Sequence, residues 1–448
     1  MITSDAHPSR SRFVETPFGD MAPTLPALID ALPARPSFIY ERASTRTRQI
    51  EKAYVGFGEI EATRYSTDAF SDLRAGIANA VSSPRAATAL LAFMSYEALR
   101  GKSLQRESQP LVPSYTILQP ALLIELDYRH RTARLSGDYE SAIESLRAAL
   151  LAPAAKNREK IHNDPGIDVM KRWSIRPTKD EFLQAVAEVQ KNIRARQDLD
   201  GVCLSVEFES QAVIDSLGSY LILREINPST CMFFLERGQF SLWGATSLPI
   251  LQTRCGRIVV ETDGATRRVE PGAASQWIPT LKELEEYDLV VAALCDDLEG
   301  VVVPASLAFT AEREQRTYFN LRHLFAEAVG DLAEGVDAVA AVKRLTPHGA
   351  AAGYRKAAAL DLIDQFDVAP RGPYSGIVGI FDNNGGADAA CVIRSTWQAG
   401  TTIRTRAGAK IVADSDPIAE YEESILKTLP LRRTVEHILR RGPTSDAS

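Results

Sequence analysis

Two segments place pairs of carboxylates three residues apart: Glu283 and Glu286 in LKELEEYDLVV, and Glu420 and Glu423 in DSDPIAEYEESILK. Residues at i and i+3 share one helix face, so each pair would aim two hard oxygen ligands the same way. Magnesium suits such a set, since it takes one or two protein carboxylates and completes its shell with water and substrate oxygens. The second helix has a well-marked start, with Ser415 or Asp416 able to cap it and Pro417 fitting its first turn. Spacing alone leaves a plainer alternative open, a solvated acidic helix face. Other metal chemistry is not expected. The histidines (His7, His130, His162, His323, His348, His437) form no HxH or HxxxH pattern. Cys203, Cys231, Cys255, Cys295 and Cys391 are odd in number and lack a CxxC, which argues against a disulfide framework or zinc ribbon and points to a reducing cytoplasm.

The elements that must position these groups read as a mixed α/β chain. Its 448 residues are 45% hydrophobic and 24% charged, a globular composition. A net charge of -7 lacks the footprint of a general nucleic-acid binder; an anionic ligand needs a local positive pocket. No apolar run reaches the ~18 to 20 residues that span a bilayer, and no apolar h-region follows the N-terminal basic residues. Neither a membrane partner nor a secretory signal is expected.

Residues 1–152 read as an N-terminal α/β segment, 153–168 (PAAKNREKIHNDPGID) as a surface linker, and 439–448 as a flexible tail. Between them, Thr178 and Glu181 form a capping box ahead of Phe182, Ala185, Val186, Val189 and Ile193 at helical spacing, and the strand GVCLSVEF follows. Strands are expected to about residue 275, helices from about 279 to 367, strands again through 413, and a last helix from near Asp416.

Five stretches then occur in order: NPSTCMFFL (227–235), KELEEYDLVV (282–291), RGPYSGIVGIF (371–381), VIRS (392–395) and AGAKIVADSDPIAEYEESILK (407–427). Together they resemble the chorismate-utilising enzymes: anthranilate synthase component I, aminodeoxychorismate synthase component I, and the isochorismate and salicylate synthases. The resemblance runs from about residue 178 to 430, which makes 169–438 a chorismate-binding catalytic domain. It implies an α/β (α+β) fold of two interleaved sheet-and-helix halves with the active site between sheets and helices. It also implies a magnesium ion on Glu286 and Glu423, with Glu283 and Glu420 as inner partners or water holders. Arg394 would fork onto a substrate carboxylate, and Tyr374 would hydrogen-bond the substrate. Gly408, followed by Ala409 and Lys410, would offer backbone amides to a carboxylate. His323 in YFNLRHLF would stand near the leaving hydroxyl and donate a proton. Lys356 and Lys427 match basic positions that balance the acidic cluster.

The chain departs from the family pattern where chemistry is done. The family's Ala-Gly-Thr-Arg turn is DGATRRV here, which puts Asp263 at the alanine position and Ala265 at the threonine. A nucleophilic lysine can occupy that alanine position in aminodeoxychorismate synthases; Asp263 speaks against this covalent route and is itself a candidate catalytic group. The stretch Gly-Thr-Val-Ser-Gly-Ala-Pro-Lys is GAAAGYRK (349–356), and the second glycine of Gly-Ala-Gly is Lys410. In GVCLSVEF the water users carry an activating lysine, and the residue matched to it is Gly201. After Glu286, Ala292, Cys295 and Asp296 replace polar partners while Asp297 persists, and Leu248 replaces an acid.

Retained carboxylates and Arg394 favour a site that binds a metal and a dianion, because unpaired buried carboxylates are costly to keep. Lost hydroxyls favour changed chemistry. The leading expectation is a divergent magnesium-dependent enzyme of the ammonia-using branch, acting on chorismate or a close relative in a specialised biosynthetic pathway. Its ammonia would come from solution or a separate glutamine amidotransferase subunit. The alternatives are altered chemistry on a related anionic substrate and a non-catalytic chorismate-binding or regulatory subunit.

Overall fold

The capping box read from Thr178 and Glu181 is present in the computed structural model: the Thr178 hydroxyl accepts from the Glu181 N–H at 3.4 Å, and Glu181 accepts from the Thr178 N–H at 2.8 Å. The structure describes residues 13–18, 25–32, 34–45, 47, 49–59, 68–82, 86–102, 111–138, 144–145, 148, 171–268, 277–318 and 321–441. The linker expected at 153–168 lies outside them, as does the tail beyond Arg441.

The first part of the chain forms β1 (Phe13–Pro17), α1 (Leu25–Asp30), β2 (Pro36–Ala43), β3 (Ile50–Phe57), α2 (Ala69–Ser82), β4 (Ala89–Met94), α3 (Tyr96–Leu99), β5 (Tyr115–Leu118), β6 (Leu122–Asp127) and β7 (Thr132–Gly137). The middle forms β8 (Ser174–Arg176), α4 (Lys179–Ala195), β9 (Gly201–Gln211), α5 (Ser216–Ile226), β10 (Cys231–Arg237), β11 (Phe240–Thr246), β12 (Pro249–Arg254), β13 (Arg257–Arg268) and α6 (Leu281–Leu298). The last part forms β14 (Ala308–Tyr318), β15 (Leu321–Asp331), α7 (Ala338–Leu345), α8 (Gly349–Ala352), β16 (Gly353–Tyr354), α9 (Lys356–Phe366), β17 (Ile377–Asp382), β18 (Ala387–Cys391), β19 (Ser395–Ala399), β20 (Thr402–Ile411), α10 (Pro417–Lys427) and α11 (Leu429–Arg441).

Among the described residues these strands make two sheets. The first runs β1-β7-β6-β3-β2-β10-β11-β19-β20-β9-β16, with β8 also on β9; the second runs β14-β15-β13-β12-β18-β17-β4-β5. Strand β4, ALLAFM, explains the layering: Leu91 and Phe93 point into a layer shared with Phe233, Trp397 and Val378 of both sheets. Leu90, Ala92 and Met94 point the other way, toward Leu73 of α2 and Val339 and Val342 of α7. A strand buried on both faces reads as a continuous apolar run. On the far side of the first sheet, Val202, Leu204 and Val206 of β9 pack under Val186 and Val189 of α4 and Leu362 of α9. Two sheets thus lie face to face with helices outside both. Phe93 sits in the shared layer with no exposure, and its truncation to alanine would cost about 3 to 5 kcal/mol.

The N-terminal segment is woven into this frame. β2 pairs with β10 in the first sheet and β4 pairs with β17 in the second, so both sheets need strands from both ends of the chain. One expected stretch is corrected: residues 279–367 are not helical throughout, because β14 and β15 form a bulged antiparallel hairpin on the edge of the second sheet. Leu324, Ala326 and Ala328 bury at period two, and pairing with β13 along the whole of β15 overrides the helix propensity of its Leu, Ala and Glu residues. Among the described residues no helix is long and apolar enough to cross a membrane.

Candidate active site

A cavity of about 400 Å³ lies between the two sheets. The first sheet lines it with Cys203 of β9 and Ala407, Gly408 and Lys410 of β20; the second contributes Asp263, Gly264 and Ala265 of β13 and His323 of β15. Helix α6 adds Glu283 and Glu286, α8 adds Ala350 and Ala351, and α10 adds Glu420, Glu423 and Lys427. Tyr374 and Arg394, beside β17 and β19, complete the wall. Most of the residues expected from sequence therefore meet in one place.

The acidic pairs arrive on helices whose starts are fixed locally. Thr280 and Glu283 form a second capping box at α6, while the Asp416 carboxylate accepts from Ile418 and Ala419 N–H at 2.8 and 3.1 Å to start α10 behind Pro417. Glu283 is already engaged: its oxygens accept from Arg267 at 3.0 and 2.7 Å and from the Thr280 N–H at 2.6 Å. Burial works against its charge, yet the Thr280 and Arg267 contacts hold it below the usual carboxylate range. It anchors the helix more than it offers a ligand. Glu286, one turn on, is raised by burial, with Lys282 and Lys410 pulling the other way and Glu283 and Glu423 adding to the rise. Burial and the adjacent Glu423 push Glu420 up to about 7. Glu423 is lowered, first by Lys427, whose Nζ lies 2.7 Å away.

These carboxylates fit magnesium. Glu286, Glu420 and Glu423 repel one another in a partly buried space, a situation a divalent cation relieves. Among the described residues no group of three or more His, Cys, Asp or Glu side chains is gathered as a metal cage. Glu286 and Glu423 would supply two carboxylates, leaving the remaining positions to water and ligand oxygens as magnesium prefers.

The walls are built for close approach. A Cβ on Gly408 would stand 2.8 Å from the Tyr374 hydroxyl and 3.1 Å from Cys203 Sγ, so only glycine keeps this floor open. Lys427 Nζ donates to the Gly408 carbonyl at 3.0 Å and ties α10 to β20. Gly264 lets β13 lie against α6, where a Cβ would meet Val290 Cγ2 at 2.8 Å. The register shift between Gly264 and Thr266 makes a bulge there, the usual device for re-aiming side chains at a site. Asp263 Oδ2 stands 3.8 Å from His323 Nδ1. Burial lowers the His323 ionisation, and Asp263 opposes that shift. Arg394 is held at φ 48°, a left-handed backbone, and strain of this kind clusters where a side chain must be aimed.

Three residues singled out from the sequence do not line the cavity. Lys356 does not border the cavity: it holds Asp297 of α6 through two contacts of 2.8 Å, and so ties α9 to α6. Ala409 does not line the cavity either; it is fully buried between Gly408 and Lys410, which do. Gly201 sits at the start of β9 against Tyr354, Val412 and the Ile411 carbonyl; the β9 residue that meets the cavity is Cys203, one pleat on. No lysine occurs along β9. Sequence reasoning passed over Arg371. Fully buried, it donates to the carbonyls of Cys203 at 2.6 Å and Ala351 at 3.0 Å and to Asp367 at 2.5 Å, bracing two walls at once. Its place in RGPYSG beside Tyr374 was the available signal.

Comparison with known proteins bears on the family and the fold. Residues 35–433 match the family model described as chorismate binding enzyme. Anthranilate synthase component 1 of Haloferax volcanii is 32% identical over 295 residues, covering 64% of this chain and 54% of that protein. Its counterpart from Aquifex aeolicus is 29% identical over 272 residues, covering 59% and 55%. The matched stretch thus spans about half the length of these relatives. The menaquinone-specific isochorismate synthase from Escherichia coli superposes with a TM-score of 0.71 at 20% identity, over 94% of each chain. Anthranilate synthase component I from Streptococcus pneumoniae gives 0.66 at 19%, over 97% of this chain and 94% of that one. These two likenesses are of fold. The family model takes in every wall of the cavity and every strand of both sheets except β1, including the N-terminal strands β2 to β7 that precede the stretch of resemblance, and the chain belongs to the chorismate-binding enzyme family.

Proposed function

We propose that the protein is a magnesium-dependent enzyme that adds ammonia to chorismate, or to a close chorismate-derived relative, in a specialised biosynthetic pathway. One observation carries the reading: Glu286, Glu420 and Glu423 converge with Arg394, Lys427 and Tyr374 on one cavity between the sheets. Glu286 and Glu423 would hold the metal, which when bound supplies Lewis-acid polarisation of a substrate carboxylate. The chain's own groups do the rest. Arg394 takes a carboxylate in its planar fork, Tyr374 hydrogen-bonds the ring substituents, and the β20 backbone at Gly408 allows close approach. Lys427 neutralises Glu423, so the dianion meets a balanced rim instead of a repelling one.

The ammonia assignment draws support from the sequence relatives, which are anthranilate synthases component 1, and from β9, which brings no lysine to the cavity. Ammonia would reach the site from solution or from a separate glutamine amidotransferase subunit. Ala265, Ala350 and Lys410 on the walls favour a second reading, altered chemistry on a related anionic substrate. Purified protein incubated with chorismate, magnesium and an ammonium salt should consume chorismate and yield an aminated product by chromatography with mass detection. Absence of consumption, with heat protection by isochorismate or another ring dianion only, would move the assignment to the second reading.

A further inference from the structure

Lys410 faces the cavity from β20, directly across the strand pair from Cys203 of β9, and the Asp263 wall of the other sheet stands opposite. Its Nζ donates to the Tyr354 hydroxyl and lies 4.1 Å from the centre of that ring. Every other lysine around the cavity stands beside an acid: Lys427 holds Glu423 at 2.7 Å and Lys282 lies 4.0 Å from Glu286. Among the described residues no carboxylate lies within ion-pair distance of Lys410 Nζ. An ammonium kept in a reaction cavity without a structural ion pair has its protons available.

We propose that Lys410 is the proton donor to the ring hydroxyl that departs from the substrate. The step rests on the reading that ammonia displaces a hydroxyl from a chorismate-like ring. The ammonia lone pair forms the new C–N bond, the ring double bond shifts, and the C–O bond to the hydroxyl breaks. The leaving oxygen takes one proton from the Lys410 ammonium and departs as water. The product carries an ammonium substituent, Lys410 is left as a neutral amine, and solvent returns its proton. No base is required.

The surroundings suit an acid near neutrality. Burial pushes the Lys410 amine down to about 8. Cys203 of β9, Asp263 of β13 and Glu286 of α6 oppose that shift, while Lys427 of α10 adds to it. Tyr354 of β16 holds the amine, and His348 before α8 shares its field. An acid of this strength is still protonated at pH 7 and gives up its proton far more readily than an exposed lysine. His323, the donor expected by resemblance, is buried and driven toward the neutral imidazole, and a neutral imidazole has no acidic proton to spare.

The test compares Lys410→Met and Lys410→Arg with the unaltered protein on chorismate, magnesium and ammonium. Arginine keeps the charge but does not release a proton. Both variants should lose about 100-fold or more in kcat, with KM for the arginine variant within about threefold. The fall in kcat above about pH 8 should disappear in the methionine variant. Competitive acylation followed by peptide mass spectrometry reads the Lys410 titration without any turnover and should give a midpoint near 8. Wild-type kcat in either variant, or a Lys410 midpoint above about 10 as for an ordinary lysine, would overturn the proposal. Failure of the unaltered protein to consume chorismate, with Lys410 still titrating near 8, would remove the chorismate reading and leave the acid in place.

Discussion

Replacing Lys410 by methionine should make the protein more stable while making it a worse catalyst. The amine ionises at about 8 in the fold against an ordinary value of 10.5, and that gap corresponds to about 3 kcal/mol of penalty for carrying the charge indoors. The sign is fixed by which state holds the proton more tightly. Between pH 8 and 10.5 the unfolded chain keeps a proton that the fold releases, so the penalty is full below about 8, fades through that window, and is gone above it. Methionine has similar length and no charge, but it loses the hydrogen bond to the Tyr354 hydroxyl, worth about 1 kcal/mol. A net gain of about 2 kcal/mol at pH 7 remains. For a chain of 448 residues, melting entropy near 2 cal/mol/K per residue turns this into a rise of about 2 °C in Tm. Thermal melts of both proteins at pH 7 and pH 9.5 measure it. The gain should shrink at the higher pH. No gain at pH 7, or one that grows with pH, would refute the claim that a buried charge strains this wall.

Glu286→Gln and Glu423→Gln should each lower turnover by about 100-fold or more and flatten the response to added magnesium; unchanged activity in both, with and without chelator, would remove the metal from these residues. Arg394→Lys should raise KM for the dianion by about 10-fold or more, because a lysine cannot reproduce the planar fork, and steady-state kinetics reads this directly. Asp297→Ala strips Lys356 of its partner and should cost about 2 kcal/mol in chemical denaturation, less than full burial would give because the lysine side chain keeps 22% exposure.

What the sequence showed best was local. The capping box at Thr178 and the Asp416 cap depend on residues within one turn, so both helix starts are legible without any tertiary contact. Features set by distant partners were harder to read. Lys356 matched a motif, yet its role is decided by Asp297, 59 residues away. The start of β9 has no local marker, and that Cys203 and not Gly201 faces the cavity follows only from its place opposite Lys410 of β20. LRHLFAEAVGD is rich in helix formers, and only its partner β13 shows why it is extended. Lys410 illustrates the same limit at the site: the motif showed that a glycine had been replaced, while the Tyr354 contact that holds its amine spans 56 residues.

The weaving of early strands into late ones has a consequence for how the chain is made. β4 leaves the ribosome with both faces apolar and meets β17 only about 280 residues later, which at ordinary rates of synthesis is a wait of about 15 to 60 s. β2 waits likewise for β10. Through that interval ALLAFM can pair with β5 alone and keeps one edge of a two-sided hydrophobic strand open, the kind of segment that invites misassociation between nascent chains. An N-terminal or C-terminal fragment expressed alone carries the same open edge permanently. Supplying the missing half in trans, as a separately translated piece, is the arrangement that would close it.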